Sequence, residues 1–469
     1  MVLVVILGSL VALSRARIHA QLHVDSQATG HKVDELSAHQ RKILAMGPPT
    51  HEAIRAFERG LPQHNLDLAF PEGRSGRYVR FSNQIAMLGW NNCFNEVLMN
   101  AHLAYMSKRS YVFQDYVWKP DYYAWPPNQF LQNPPHTPLN AIIAGPTAGG
   151  LWEAGDKAPR SVSDEWFDTV CPHSERRVIN TRDVKPSLVQ SQGNEIFEAW
   201  RKLLEEAPER CIEIRPANSE EDSFPQTFDL WLWGSDRVLS LWEDFKSSPT
   251  SRLLDTSPLV NSAIYRNEYL FFPVGPRPTK PTTHKPWERM MAMHVRRGDF
   301  KEACINLAAW NSTFYSWNLL PFLPDKFTPP PGGERGKNTP ENEAKYIEHC
   351  LPSFDALIQK VRDSKTDYIA AGPKDGVERT LDIMYLLTND QGEFLDDLKN
   401  ALRQDGWHTI RTSKDLILDQ DQTDVNMAID MDIARRAAVF IGNGWSSFTS
   451  NIVHRRLKDG KEPISIRFF

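Results

Sequence analysis

The chain has 469 residues, too many for one ordinary domain and enough for two or three. Hydrophobic residues make up 41% and charged residues 24%, which excludes a disordered or fibrous chain. Lys and Arg number 54 against 59 Asp and Glu, and the net charge of −5 excludes a nonspecific nucleic-acid binder, which needs a basic excess. The 14 Trp, 23 Phe, 12 Tyr and 33 Pro point to rigid loops around clefts more than to long helical bundles. Aromatic surface suits sugars or peptides, although core burial is the commoner use of any one Trp.

Residues 1–13 are almost wholly apolar, and Arg15 and Arg17 follow them. The stretch is shorter than the roughly 20 residues a bilayer span takes, and it has the length of a signal-peptide core. It is read as a targeting signal or a short membrane anchor, with a buried core helix as the alternative. The expected location is the secretory pathway, in the endoplasmic reticulum or Golgi. Residues 1–70 are assigned to this signal and a polar stem with a helical run near His51. Residues 71–280 are assigned to a first Rossmann-like domain and residues 281–469 to a second. The proline-rich segment 273–286 is the expected linker.

The residues from Arg77 read as a strand, with a long helix beginning near Asn83 and a second strand over 110–113. That β-α-β unit favours a parallel sheet. Residues 115–138 are dense in Tyr, Trp and Pro and read as an ordered loop rather than an element, with 116–130 as its acceptor-facing part. In the second half, 291–296 is a buried strand and 304–340 an insertion. Thr339 and Pro340 then start a helix that passes Leu357, Ile358 and Val361. Residues 368–371 read as a strand, 382–388 as a buried strand and 394–404 as a helix. Strands over 408–411 and 439–442, a helix over 445–457 and a strand over 463–469 complete the alternation.

The five cysteines form no CxxC pair, so a thiolate zinc site has no support. One or two disulfides are expected, Cys304 with Cys350 foremost, and the odd count leaves one thiol free. One sequon, Asn311-Ser312-Thr313, is present.

Three constellations carry chemistry. His294-Val295-Arg296-Arg297-Gly298-Asp299 follows an apolar strand, where α/β sheets place their ligands, and its arginines offer forked donors to phosphate. Phe440-Ile441-Gly442-Asn443-Gly444-Trp445-Ser446-Ser447-Phe448-Thr449-Ser450 is a strand, a glycine turn and a helix start, whose N–H groups form an anion site; Ser446 is equally a simple helix cap. Arg80-Phe81-Ser82-Asn83-Gln84 occupies the first strand-to-helix turn. Two Asp-x-Asp spacings, Asp419/Asp421 and Asp430/Asp432, are of the kind that holds a metal on a nucleotide diphosphate. Asp430 reads better as an acceptor for a base or ribose. No G-x-S-x-G elbow supports a serine hydrolase.

Together these motifs resemble the GDP-fucose protein O-fucosyltransferases and their wider fucosyltransferase superfamily. That family carries an Arg-Phe-Gly-Asn-Gln loop, here residues 80–84; a His-Leu-Arg, here His294-Val295-Arg296; and an Asp followed by Phe-Ile-Gly-Asn and Ser-Ser-Phe-Thr, here Asp430, residues 440–443 and residues 446–449. The resemblance implies an α/β fold of the GT-B type, two Rossmann-like domains facing a central cleft. It implies inverting, metal-independent transfer of fucose from GDP-fucose, with no cofactor, to a Ser/Thr hydroxyl of a protein. Arg296 would hold the β-phosphate and His294 the nucleotide. Asp430 would meet the guanine side, and Ser446, Ser447 and Phe448 would cradle phosphate. Asn83 would line the reaction centre, with Arg80, Phe81 and Ser82 completing that loop and Arg297 joining the donor site. Ser82 stands where the family has glycine. The form His-Val-Arg-Arg-x-Asp is more like the α1,6-fucosyltransferase branch, which acts on glycans, so a glycan acceptor is the alternative. A catalytically silent nucleotide-sugar-binding protein is another. Glu72 and Asp115 are candidate bases, or the site works through a water.

Overall fold

The computed structural model of the chain describes residues 49–85, 88–119, 134–272, 285–298, 300–331, 336–374 and 376–469. The apolar segment 1–13, nearly all of the proline-rich linker, Asp299 and residues 120–133 of the aromatic loop lie outside them.

Strands that are covered on both faces need apolar residues at successive positions. In the first half β1 (Tyr78–Phe81), β2 (Ser110–Phe113) and β5 (Cys211–Arg215) are mostly buried, with β3 (Val162–Ser163) and the polar, mostly unburied β4 (Arg176–Asn180) at the edges. These form one five-stranded sheet in the order β3-β2-β1-β5-β4, with every pairing parallel. The second half repeats the plan with β6 (Met290–Val295), β7 (Ile383–Thr388), β8 (Thr409–Thr412), β9 (Val439–Gly442) and β10 (Ile466–Phe468). Their order is β8-β7-β6-β9-β10, again all parallel. Met290 and Ala292 of β6 enter one apolar core, and Met291, Met293 and Val295 enter another, so both faces of this sheet are covered. The expected α/β architecture with two Rossmann-like halves is therefore present.

The helices used below are α1 (His51–Arg59), α2 (Trp90–Met106), α3 (Gly193–Glu206), α4 (Phe300–Ala309), α5 (Pro340–Cys350), α6 (Phe354–Ala370), α7 (Glu393–Gln404), α8 (Asn426–Arg436) and α9 (Ser447–Lys458). Thr339 caps α5 by accepting from the Asn342 N–H at 3.1 Å, with Pro340 in the first turn, as the Thr-Pro pair foretells. Four expectations are corrected. The helix expected near Asn83 begins at Trp90, after a turn over residues 82–85. The insertion contains helix α4. The helix after Pro340 is two helices, α5 and α6, and the strand expected over 368–371 is the end of α6. Leu357, Val361, Ser364 and Tyr368 are buried at helical spacing, and that shared face outweighs the local strand-like composition.

Cys304 and Cys350 form the expected disulfide, joining α4 to α5 across a Cα separation of 5.8 Å. Cys171 and Cys211 form a second, and Cys93 is the free, buried thiol.

Buried polar bonds link segments from the two halves. Thr256 donates its hydroxyl to Asp432 of α8 and accepts from Arg455 of α9 at 2.9 Å. The Ser251 hydroxyl lies 2.7 Å from His454 Nε2, and Asn451 donates to the Asn91 carbonyl at 2.9 Å. Burial, helped by neighbouring Arg455, pushes the His454 imidazole down to about 3, so it is neutral. Among the described residues no helix is long and apolar enough to cross a membrane.

Candidate functional site

Open parallel sheets bind ligands beyond the carboxyl ends of their strands, where the strand order reverses. In the second sheet that point lies between β6 and β9. Strand β6 delivers His294 and Val295, and Arg296 follows at once. Strand β9 ends at Gly442, and the turn 443–445 leads into Ser446, the N-cap of α9.

The turn is built for close packing. A Cβ on Gly442 would sit 2.5 Å from Thr449, and one on Gly444 would sit 2.3 Å from the Phe314 ring. Neither position accepts a larger residue without displacing its neighbour. The Asn443 amide donates to the Cys350 carbonyl at 2.6 Å, and its oxygen accepts from the Trp445 N–H at 3.0 Å. Asn318, fully buried, donates to the Gly444 carbonyl at 2.9 Å. The start of α9 is thus fixed from three sides, and its first N–H groups carry the positive end of the helix dipole.

A cavity of about 1080 Å³ opens here. It is lined by His294, Arg296, Asp430, Ser446, Ser447 and Phe448 from the second half and by Asn91, Asn92, Phe224, Trp231 and Asp236 from the first. It is the expected cleft between two α/β halves. Six of the residues singled out in the sequence meet there.

Their surroundings define what each can do. The His294 ring packs edge-on against Phe448 at 4.9 Å, with Nδ1 3.4 Å from the Thr449 hydroxyl. Burial, with Arg296 adding to it, pushes the imidazole down to about 3, so His294 is neutral and its ring nitrogens are available for hydrogen bonds. The Arg296 guanidinium lies 5.5 Å from the Phe300 ring centre and is exposed in the cleft. Asp430 accepts from the Tyr385 and Ser413 hydroxyls, each at 2.5 Å. Burial raises its carboxyl to about 6 against the pull of those two donors. It is mostly ionised at neutral pH, and a carboxylate keeps lone pairs beyond two hydrogen bonds. Ser446 does serve as the helix cap, accepting from the Thr449 N–H at 3.5 Å, while it also lines the cavity.

The other residues of the expected site do not line it. Arg297 points elsewhere: its guanidinium donates to the Pro352 carbonyl at 2.6 Å and stacks 4.2 Å from the Phe394 ring centre. Arg80 pairs with Asp164 at 2.9 Å, and Phe81 is wholly buried in the core. The Ser82 hydroxyl donates to Glu213 at 2.9 Å. Asn83 is fully buried and donates to the Pro225 carbonyl and the Thr227 hydroxyl, both at 3.1 Å. The candidate bases are also occupied. Glu72 accepts from Arg160 at 2.7 and 2.5 Å. Asp115 accepts from Arg55 at 2.7 Å, and although burial pushes its carboxyl up, His136 and Arg55 hold it below the ordinary range. Neither belongs to the cavity lining.

Neither Asp-x-Asp pair converges on a point. Asp430 and Asp432 stand two positions apart on α8, about 200° around a helix of 3.6 residues per turn. Asp430 faces the cleft, while Asp432 is fully buried against Arg435, Arg436 and Arg455. Asp419 caps a short helix and pairs with Arg266 at 3.1 Å, and Asp421 accepts from the His51 N–H at 3.1 Å.

Several lining residues escaped the sequence reading. Thr388 ends β7 and Asn389 follows it, at a strand end where polar residues were a usable signal. Trp231, Asp236 and Trp310 lie in segments with no such marker. The sequon residue Asn311 also lines the cavity.

No family model matches the chain, and no curated protein matches its sequence. Among solved structures the chain is similar to POFUT1 in complex with GDP-fucose, at 14% identity and a TM-score of 0.47, covering 84% of this chain and 97% of that one. It is similar to POFUT1 in complex with GDP, at 15% identity and a TM-score of 0.45 over 84% and 98% of the two chains. A NodZ alpha-1,6-fucosyltransferase soaked with GDP-fucose matches at 12% identity and a TM-score of 0.37, over 80% and 91%.

Proposed function

We propose that this chain is an inverting glycosyltransferase that moves fucose from GDP-fucose to an acceptor hydroxyl. The observation that carries the reading is the meeting of Arg296, His294, Asp430 and the start of α9 in one cavity, at the strand-order reversal of the second sheet. The order and spacing of the motifs supply the choice of donor.

In this reading the first N–H groups of α9 and the Ser447 hydroxyl receive the diphosphate. Arg296 neutralises the charge that grows on the β-phosphate as GDP leaves, a preorganised electrostatic role. Neutral His294 donates a hydrogen bond without adding charge. The Asp430 carboxylate accepts from the donor edge of guanine, which uracil and adenine do not present. The acceptor oxygen forms its bond to the anomeric carbon on the face opposite the breaking bond, and GDP takes the electron pair. Asp236 receives the acceptor proton. Among the described residues it is the one carboxylate lining the cleft besides Asp430. The transfer is metal-independent, so EDTA leaves the rate unchanged.

The test is thermal stabilisation of the full chain by GDP, UDP, ADP and CMP. GDP should raise the midpoint selectively, because a ligand stabilises by RT ln(1 + [L]/Kd). Equal shifts, or a preference for UDP, would remove GDP-fucose as donor.

A further inference from the structure

Most of the large aromatic side chains are core, but two tryptophans at the cleft are not. Trp231 is 44% exposed and Trp310 is 48% exposed. Their ring centres lie 5.6 Å apart at 66°, and Phe224 meets Trp231 edge-on at 5.8 Å. Trp231 belongs to the short helix Leu230–Trp233 of the first half, and Trp310 follows α4 of the second. The pair spans the two walls of the same cavity that holds Arg296.

We propose that Trp231 and Trp310 form a stacking platform for a neutral oligosaccharide, the acceptor of the transfer; this rests on the glycosyltransferase reading above. The chemistry of the lining selects that class. Large exposed aromatic surface within a concave site is a binding feature. Indole faces match the C–H faces of pyranose rings, whose hydroxyl rims then need amide and hydroxyl partners. Asn306 and Asn311 flank Trp310 in the lining, and Ser235 and Asp236 follow Trp231. Among the described lining residues Arg296, Asp236 and Asp430 are the only Asp, Glu, Lys or Arg side chains, so no row of charges selects a charged acceptor. Among the described residues the lining offers no strand edge to an extended peptide. Its strand residues come from β6 and β7, both interior to their sheet. Asp236, the proposed base, follows Trp231 by five residues and lines the same cavity as the platform.

The experiment uses the full chain and its W231A, W310A and W231A/W310A variants. Binding is read on an array of neutral glycans printed beside Ser/Thr-containing peptides, and GDP affinity is measured separately by titration. Expected are saturable binding to at least one neutral glycan, a loss of at least tenfold in each single variant, and GDP affinity within twofold of the parent. W231F and W310F, which keep an aromatic face, should retain most binding. Glycan binding unchanged in the double variant, no binding to any glycan, or binding to peptides alone would overturn the platform. If GDP fails to bind while Trp-dependent glycan binding persists, the donor assignment falls and the platform stands.

Discussion

Glu96 offers the sharpest test of how the first half holds its wall of the cleft. It lies in α2, has no exposed surface, and accepts from the Thr227 N–H at 2.7 Å, the Phe228 N–H at 3.2 Å and the Asn100 amide at 3.2 Å. Burial pushes its carboxyl up to about 8 in spite of those donors. The folded-state value therefore lies above the unfolded value of roughly 4.3. Its contribution to stability is complete below the unfolded value and is lost as pH rises through about 8. At pH 7 the protonated side chain already costs up to about 4 kcal/mol, at 1.36 kcal/mol per unit of pH above the unfolded value. Glu96→Gln keeps the oxygen that all three donors use and removes the titration. It should match or exceed the parent in stability at pH 7 and flatten the decline between pH 5 and 9. Glu96→Ala leaves two buried N–H groups without an acceptor, at about 1–3 kcal/mol each, and should lose roughly 2–6 kcal/mol. Urea midpoints read by tryptophan fluorescence across that pH range separate the two. A Gln variant as unstable as the Ala variant, or one that keeps the parent's pH slope, would refute the argument. The Ala variant should also weaken acceptor binding, since residues 225–228 carry the chain into Trp231.

Arg296→Ala should lower kcat/KM by about 10²–10³, the range for removing one preorganised donor. Asp236→Asn should lower kcat by roughly 10²–10⁴ with GDP affinity unchanged, as loss of a general base does. Steady-state kinetics with a GDP titration checks both; turnover close to the parent's removes the residue from the mechanism. Asp430 should make GDP binding pH-dependent. Because its carboxyl is raised to about 6, affinity should fall as pH drops through that value, and Asp430→Asn should bind more weakly with a flat profile. Calorimetry between pH 5 and 8 reads this, and a parent profile without that fall removes Asp430 from the nucleotide contact.

The second half was the more legible of the two, for a physical reason. Its site consists of local strand-turn-helix units, so residues 294–296 and 442–448 announce their own geometry, and the parallel sheet places β6 and β9 side by side. Residues whose surroundings come from distant sequence were not legible. Asn83 could be read as a helix cap or a cleft residue, but its partners Pro225 and Thr227 lie more than 140 positions away. Arg297 is adjacent to Arg296 in sequence, yet the Pro352 carbonyl and the Phe394 ring turn it aside. The aromatic excess was visible in composition, but Tyr116 and Trp118 of the expected acceptor loop are buried, and the exposed pair lies elsewhere.

Both sheets are five-stranded and parallel and reverse their strand order beside the first strand, although the last two strands are swapped between them, and only the second sheet leaves an open crevice there. Strand order reverses beside β1 in the first sheet just as it does beside β6 in the second. In the first sheet the protein's own polar groups fill that place. Ser82 is bonded to Glu213, Asn83 to the 225–227 segment, and Glu96 to the N–H groups that follow. Inserting a diphosphate there would leave several of these buried groups unpaired, each at about 1–3 kcal/mol. Beside β6 the corresponding space is open, with Arg296 and the start of α9 on its border. On the proposed reading, the donor would bind in the open crevice of the second half, and the first half, whose own crevice is filled, would supply Trp231 to the facing wall.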